Sequence, residues 1–378
     1  MTRHHHLPRL LEPWRRLSAR HPFAGAWLVA AVGLAASAAL GVTLRLAEYR
    51  HARARFDEIC ADRASLIQDS LDHATETLHS LAGHIESSET DSRTEFQIFT
   101  NRLLDRPEIV ALEWIPRVPA AQRAAFEAGV RAEGFPDFEI KEPLAAGGFR
   151  RAPDRAEFFP ILYSKPAAFN RRDLGKDVLA LPVRGAALHR ARDTGQLAAA
   201  VNFEILRTDE GDDRGLMVFA PVYTHGAAPR DEAERRARLT GCVAVLLRMS
   251  DLVRAAGAKV SPTGMDIALM HRPGASGVEQ VMYFQTTRMH STGSMPTALE
   301  SPFAGLRWEG PVRLAYVTLR IVCHATPHFV AAPRYRVTWA SLGAGLVLTA
   351  LATGLVRQQT HCIIEQEASN RRLQEEQQ

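Results

Sequence analysis

Two stretches of the chain are apolar without interruption by charge. From Phe23 to Leu44, 22 residues carry no formal charge and are mostly Ala, Leu, Val and Gly. At about 1.5 Å of helix per residue, such a run covers the roughly 30 Å hydrocarbon core of a bilayer. A second run of 20 uncharged residues, Val337 to Val356, is bounded by Arg334, Arg336 and Arg357. Trp27 and Trp339 stand near the ends of these runs, where amphipathic rings favour the membrane interface. At 22 residues the first run exceeds an ordinary signal-peptide core, and no obvious cleavage site follows it before Arg45. It therefore reads as a retained transmembrane helix.

Between the runs the pattern changes twice. Residues 45–88 hold no proline and a single glycine, and Cys60, Ala64, Ile67, Leu71, Ala74, Leu78, Leu81 and Ile85 recur at alternating spacings of four and three. That heptad seam predicts one continuous stalk helix with a two-helix style of contact. It serves either packing on the protein's own domain or a homodimer through residues 60–85. A break near Ser88 to Arg93 precedes a second helix over Thr94–Leu104. Beyond Pro107, short apolar runs between Gly, Pro and Asp predict strands at Ile109–Ile115, Phe158–Tyr163 and Leu216–Val222. Helices are predicted over Ala120–Glu133 and Val183–Arg192, and Thr194-Gly195 ends the second and opens a strand. Ala227–Arg238 reads as a polar surface loop. A second set follows, with strands at Gly241–Leu247, Met265–Met270, Gln280–Gln285 and within Leu306–Cys323, and a helix over Met249–Ala256. The order implies an α+β protein with two mixed sheets, helices to one side of each. The expected boundaries are stalk helices 45–106, a distal unit 107–226 and a membrane-proximal unit 227–336, flanked by transmembrane helices 23–44 and 337–356.

Charge sets the expected orientation. Arg3, Arg9, Arg15, Arg16 and Arg20 mark residues 1–22 as a cytoplasmic tail, which places residues 45–336 outside the cell (inner) membrane and 357–378 inside, as the start of a signalling helix. The net charge of +4 owes much to this tail, so no nucleic-acid face is expected. The four cysteines, Cys60, Cys242, Cys323 and Cys362, form no CxxC pair or zinc spacing. A Cys242–Cys323 bridge and an intersubunit bridge at Cys60 both remain open on this reading. His4, His5 and His6 read as solvated tail, His73, His79 and His84 lack helical metal partners at i, i+4, and His324 and His328 read as exposed. Motifs for acyl transfer, zinc proteolysis, nucleotide binding and kinase activity are missing, so the chain is expected to be non-enzymatic, with no cofactor and no metal.

Six short motifs in series resemble the CHASE sensor family, found in bacterial sensor kinases, diguanylate cyclases and plant cytokinin receptors. They are Pro107-Glu108-Ile109-Val110-Ala111-Leu112-Glu113-Trp114, Phe158-Phe159-Pro160-Ile161, Leu174-Gly175-Lys176-Asp177, Ala191-Arg192-Asp193-Thr194-Gly195, Phe219-Ala220-Pro221-Val222-Tyr223, and Thr240-Gly241 with its strand. The resemblance implies a long stalk helix and two PAS-like subdomains, the distal one holding a small molecule. Carried over by position, the pocket falls on Val178, Arg184, Leu188, Ile205 and Phe219. In the plant receptors the position of Arg184 resembles an aspartate that grips an adenine ring. An arginine offers only donors in a fork suited to carboxylate or phosphate, so an anionic or carbonyl-bearing ligand is expected in place of a cytokinin. The structural alternative for Arg184 is an ion pair with Asp177 or another local acid. Asp177 is expected to cap the following turn, Phe219 and Tyr223 to form core or pocket wall, and Arg171 and Arg172 to sit in a solvated loop or near the pocket mouth. The leading expectation is a ligand sensor that signals across the membrane. The alternatives are the sensory half of a histidine kinase or diguanylate cyclase, and a membrane-anchored protein-interaction module.

Overall fold

The computed structural model describes residues 22–88, 92–104, 106–145, 147–166, 173–208, 211–226, 228–258, 264–272, 277–285, 306–326, 329 and 335–375. The N-terminal arginines, His4 to His6, Arg171, Arg172 and His328 lie outside this set. The chain divides into two compact units, Met1–Arg55 with Val330–Gln378, and Phe56–Phe329.

Helix α1, Ala24–Ser87, contributes its residues from Phe56 onward to the larger unit. Every seam residue from Cys60 to Ile85 is buried there within one chain. The seam thus packs on the protein's own domain. Near Phe56 the stalk meets the Phe329 ring, with centroids 5.5 Å apart. Midway, Gln68 forms a two-way amide clasp with Arg313, donating to its carbonyl at 2.9 Å and accepting from its N–H at 2.8 Å. At the far end, the Glu86 carbonyl lies 2.9 Å from His225 Nδ1. The outward face is polar instead. Glu58, Asp62, Ser65, Asp69, Asp72, Glu76 and His79 are all exposed at heptad spacing.

Ser92 caps helix α2, Arg93–Asn101, by accepting from the Glu95 N–H at 3.2 Å. Strand β1, Ile109–Pro116, is followed by β2, Val118–Pro119, helix α3, Arg123–Ala132, and the short strands β3, Lys141–Pro143, β4, Phe149–Arg151, β5, Glu157–Phe158, and β6, Tyr163–Lys165. The strand expected over Phe158–Tyr163 is split, since Pro160 has no N–H to give a ladder and makes only one isolated bridge, to Asp177. After a 3₁₀ turn, Val178–Ala180, come helix α4, Pro182–Thr194, and strands β7, Ala198–Thr208, and β8, Gly211–Tyr223. The expected loop before residue 239 contains helix α5, Glu232–Arg238. With no apolar stripe, it is held by the Asp231 cap and by the Arg236–Glu232 ion pair at 2.7 Å. Strand β9, Leu239–Arg248, completes an antiparallel sheet in the order β6-β1-β9-β8-β7.

Helix α6, Met249–Ala258, leads to strands β10, Met265–His271, β11, Gln280–Gln285, β12, Arg307–Leu314, and β13, Val317–Ala325, which pair as β11-β10-β13-β12. Counted among themselves, the first sheet runs 2-1-5-4-3 and the second 2-1-4-3, the same plan one strand shorter. The α+β expectation of a stalk followed by two PAS-like sheets is met. Burial differs between them for a physical reason. β1 and β9 are buried along nearly their whole length, as strands covered on both faces must be, whereas β12 alternates exposed and buried because one face meets water.

In the other unit, the last helix, α7, Tyr335–Glu375, lies antiparallel to the first part of α1. A Cβ at Gly41 would meet Leu342 at 2.7 Å, one at Gly345 the Ser37 Oγ at 2.6 Å, and one at Gly33 the Thr349 side chain at 2.5 Å. Small residues let the two backbones approach. Thr338 donates to Glu48 at 2.7 Å at one end of the pair. Both helices are long and apolar enough to cross a membrane, and their apolar stretches are almost wholly exposed. Trp27, Val32, Val42, Trp339, Val347 and Leu348 project outward, a surface that suits lipid better than water.

Candidate functional site

Helix α4 creates the site. Pro182 opens it at the first turn and Gly195 closes it with φ of 71°, the left-handed geometry of a glycine cap. Its buried residues are Arg184, Gly185, Ala187, Leu188 and Ala191. That spacing is one helical face, so Arg184 points the same way as the apolar residues that pack on the sheet. Gly185 allows close packing, since a Cβ there would meet the Leu179 backbone at 3.3 Å.

The sheet answers with a row of facing residues. Glu113 on β1 pairs with Ser164 on β6 and Ala244 on β9; Ala244 pairs with Phe219 on β8, and Phe219 with Ala198 on β7. Val178, Leu188 and Phe219 are fully buried in one cluster with Ala111, Ile115, Ala187, Ala191, Ala198 and Ala244. Three of the five expected pocket residues therefore converge, and burying each contributes roughly 1.5–3 kcal/mol. The fourth, Arg184, sits on the same helix face. Ile205 belongs to β7, and its side chain lies outside the described set. The alternation of β1 puts Glu113 on the face of Ala111 and Ile115, toward α4.

Arg184 is nine-tenths buried, and its guanidinium stacks on the Phe203 ring at 4.1 Å. Among the described residues it makes no hydrogen bond and no ion pair. The expected partner Asp177 is engaged elsewhere. It accepts from the Phe159 and Leu179 N–H groups at 3.0 and 3.2 Å and pairs with Arg155 at 3.0 Å, which makes it the cap of the 3₁₀ turn. The acid that faces Arg184 electrostatically is Glu113, with Asp173 behind it.

Glu113 is 4% exposed, and its Oε2 has no hydrogen-bond partner. Burial pushes its carboxyl up to about 7, against the opposing pull of the Arg184 charge. Burial likewise lowers Arg184, although Glu113 and Asp173 favour its charge. In a satisfied ion pair the carboxyl falls and the base rises; here both move toward neutrality, so desolvation outweighs their attraction. The Arg123–Glu127 pair on α3 is the contrast. Glu127 is as deeply buried, yet the Ile140 N–H at 3.0 Å and Arg123 at 3.0 Å outweigh that burial and hold its pKa below the usual range. Arg123 also donates to the Ala152 and Ile140 carbonyls at 2.8 and 3.0 Å, so its donors are used structurally.

Glu113 went unremarked in the sequence reading beyond its place in a motif. The available signal was a lone carboxylate in a strand otherwise apolar on both faces. Among the described residues, no three His, Cys, Asp or Glu side chains converge as metal ligands. Two open surface grooves flank Glu86 and Gly195, and neither is lined by any of the five expected pocket residues.

The CHASE domain model matches residues 89–283. A hybrid signal transduction histidine kinase A from Dictyostelium discoideum is 23% identical over 280 residues, which cover 70% of this chain and 13% of that protein. The chain thus spans about an eighth of that relative. An extracellular ligand binding receptor from Desulfohalobium retbaense is similar at a TM-score of 0.44 and 12% identity, over 72% of this chain and 40% of that one. The periplasmic sensory domain of the Campylobacter jejuni chemoreceptor Tlp1 is similar at a TM-score of 0.46 and 10% identity, over 76% and 99%.

Proposed function

Because this chain belongs to the CHASE domain family, we propose that it is a membrane-bound sensor whose extracytoplasmic domain binds a small molecule between α4 and the five-stranded sheet. The observation that carries the reading is the buried pair Glu113 and Arg184, one with an orphaned carboxylate oxygen and the other with an unused fork of donors. A buried polar group left unsatisfied costs roughly 1–3 kcal/mol, more if charged, and an incoming ligand recovers that cost. The complementary molecule is small and carries both an anionic or carbonyl group for Arg184 and an N–H or ammonium donor for Glu113. Val178, Leu188 and Phe219 supply the apolar wall, and the alanines at 111, 187, 198 and 244 leave it shallow.

In this reading residues 45–336 lie outside the cell and both ends of the chain lie in the cytoplasm. The ligand-binding part runs from residue 107 beyond the expected boundary at 226, through β9, which is a central strand of its sheet, and the residues from 249 to 336 connect it to the second apolar helix. The stalk touches both sheets, so a ligand that shifts α4 against the first sheet changes the surface on which the stalk rests. A second reading, that the chain is the sensory part of a longer signalling enzyme, is favoured by the histidine kinase relative of which it spans a small fraction.

The test is a thermal-shift screen of the full chain in nanodiscs against aminocarboxylates, simple carboxylates, amines and purines. At 100 times Kd a ligand stabilises by about 2.7 kcal/mol, which for a domain of this size is about 5–10 °C. Stabilisation by compounds bearing both groups supports the reading. A response to none of the four classes overturns it.

A further inference from the structure

The base of the stalk holds a second feature that the sensor reading does not use. Cys60 is on α1 and Cys323 on β13, and both are wholly buried and free. Their contact follows from register. In the second sheet Met265 pairs with Ala325 and Ile267 with Cys323, so Met265 and Cys323 project from the same face as diagonal neighbours. Cys60 Sγ lies 3.7 Å from Met265 Sδ on that face. The Cys323 thiol is the neighbouring group that, together with burial, raises the Cys60 pKa. The pairing considered from sequence, Cys242 with Cys323, has no such support. Cys242 lies in the first sheet, between Ile115 and Pro221, in the core under α4.

We propose that Cys60 and Cys323 are a disulfide pair, formed during export and folding, that staples the start of the stalk to the last strand before the second apolar helix. The inference rests on the extracytoplasmic placement of this unit, where disulfides persist. The oxidant is a disulfide-bearing oxidoreductase of that compartment. One cysteine thiolate attacks a sulfur of the donor's disulfide and forms a mixed disulfide. The second thiolate then displaces the donor's thiol, so two protons leave and the donor ends as a dithiol. The exchange precedes burial, since the thiolate is the nucleophile and the folded site disfavours it. The bond closes a loop of about 260 residues, and one of that size raises the unfolding temperature by on the order of 10 °C. It also fixes the stalk against β13 at this level, leaving the stretch beyond Gln68 to respond to ligand.

The experiment takes the full chain from bacterial membranes, denatures it without reductant in the presence of a maleimide-polyethylene glycol, and maps cross-linked peptides by mass spectrometry. A parallel sample is synthesised cell-free into nanodiscs with glutathione disulfide present, so that oxidation can precede burial. Two modified cysteines, Cys242 and Cys362, with a mapped Cys60–Cys323 peptide support the proposal. C60S and C323S then lower the unfolding temperature equally, and the double variant lowers it no further. A link that appears only with glutathione disulfide supports the pairing and counts against the extracytoplasmic placement. Four modified cysteines in both samples, or a link through Cys242, overturns the proposal and leaves the sensor reading untouched.

Discussion

Replacing Glu113 with Gln separates a strained ligand-binding acid from an ordinary structural one. The wild-type carboxyl is pushed up by burial from 4.5 to about 7. The folded protein therefore holds its proton more tightly than the unfolded chain. Stability falls as pH rises from about 4.5 to about 7 and is level above that. The displacement corresponds to about 3 kcal/mol at pH 8. The Gln side chain keeps the size and one carbonyl acceptor but cannot ionise, so its variant escapes this loss. Unfolding the full chain in nanodiscs from pH 4.5 to 8.5 gives the two curves. Half-buried His189, His271 and His324, all lowered chiefly by desolvation, contribute with the opposite sign, and they cancel in the difference between variants. Wild type and E113Q should diverge with rising pH until the variant unfolds about 6–12 °C higher at pH 8. A difference that stays flat across the range would refute the claim that Glu113 is buried without compensation.

Four further outcomes follow from particular contacts. Arg123→Met strands Glu127 and two carbonyls, and should cost about 3–5 kcal/mol in chemical unfolding; a loss under about 1 kcal/mol would show that the network is not formed. Gly175→Ala should cost more than about 2 kcal/mol, because Gly175 has φ of 79° and a Cβ there would collide with the Glu139 carbonyl. A cysteine pair at Ser37 and Gly345 should cross-link under mild oxidation, as these positions meet between the two apolar helices; no cross-link would disprove that packing. A homodimer through stalk residues 60–85 has only the carboxylate-rich outward face available, so sedimentation at constant pH should show association strengthening as added salt screens the like charges across it. Unchanged association would place the dimer contact elsewhere.

Much of the architecture was legible because burial imposes periodicity. The stalk seam, Cys60 to Ile85, was visible as a heptad and is buried at every position. Gln280–Gln285 has the bounds read from its pattern. Failures occurred where other forces decide. Helix α5 has no apolar face and depends on a cap and ion pairs, which periodicity does not register. The run at Phe158–Tyr163 is apolar like a strand, but Pro160 breaks its ladder. At the site, Val178, Leu188 and Phe219 were accessible through motif position, and they share a core cluster. The electrostatic partner of Arg184 was not. Asp177 is closer in sequence, and only the sheet register reveals that Glu113 faces α4 while Asp177 turns to Arg155, Phe159 and Leu179.

The most direct measurement is calorimetric titration, near pH 7, of whichever aminocarboxylate stabilises the protein, repeated in buffers of different ionisation enthalpy. Engagement of its donor by Glu113 should expel roughly half a proton per molecule bound, since that carboxyl is about half protonated there. The release should vanish in E113Q, and R184M should weaken binding at least tenfold. Heat that is independent of buffer, with affinity unchanged in both variants, would contradict the account.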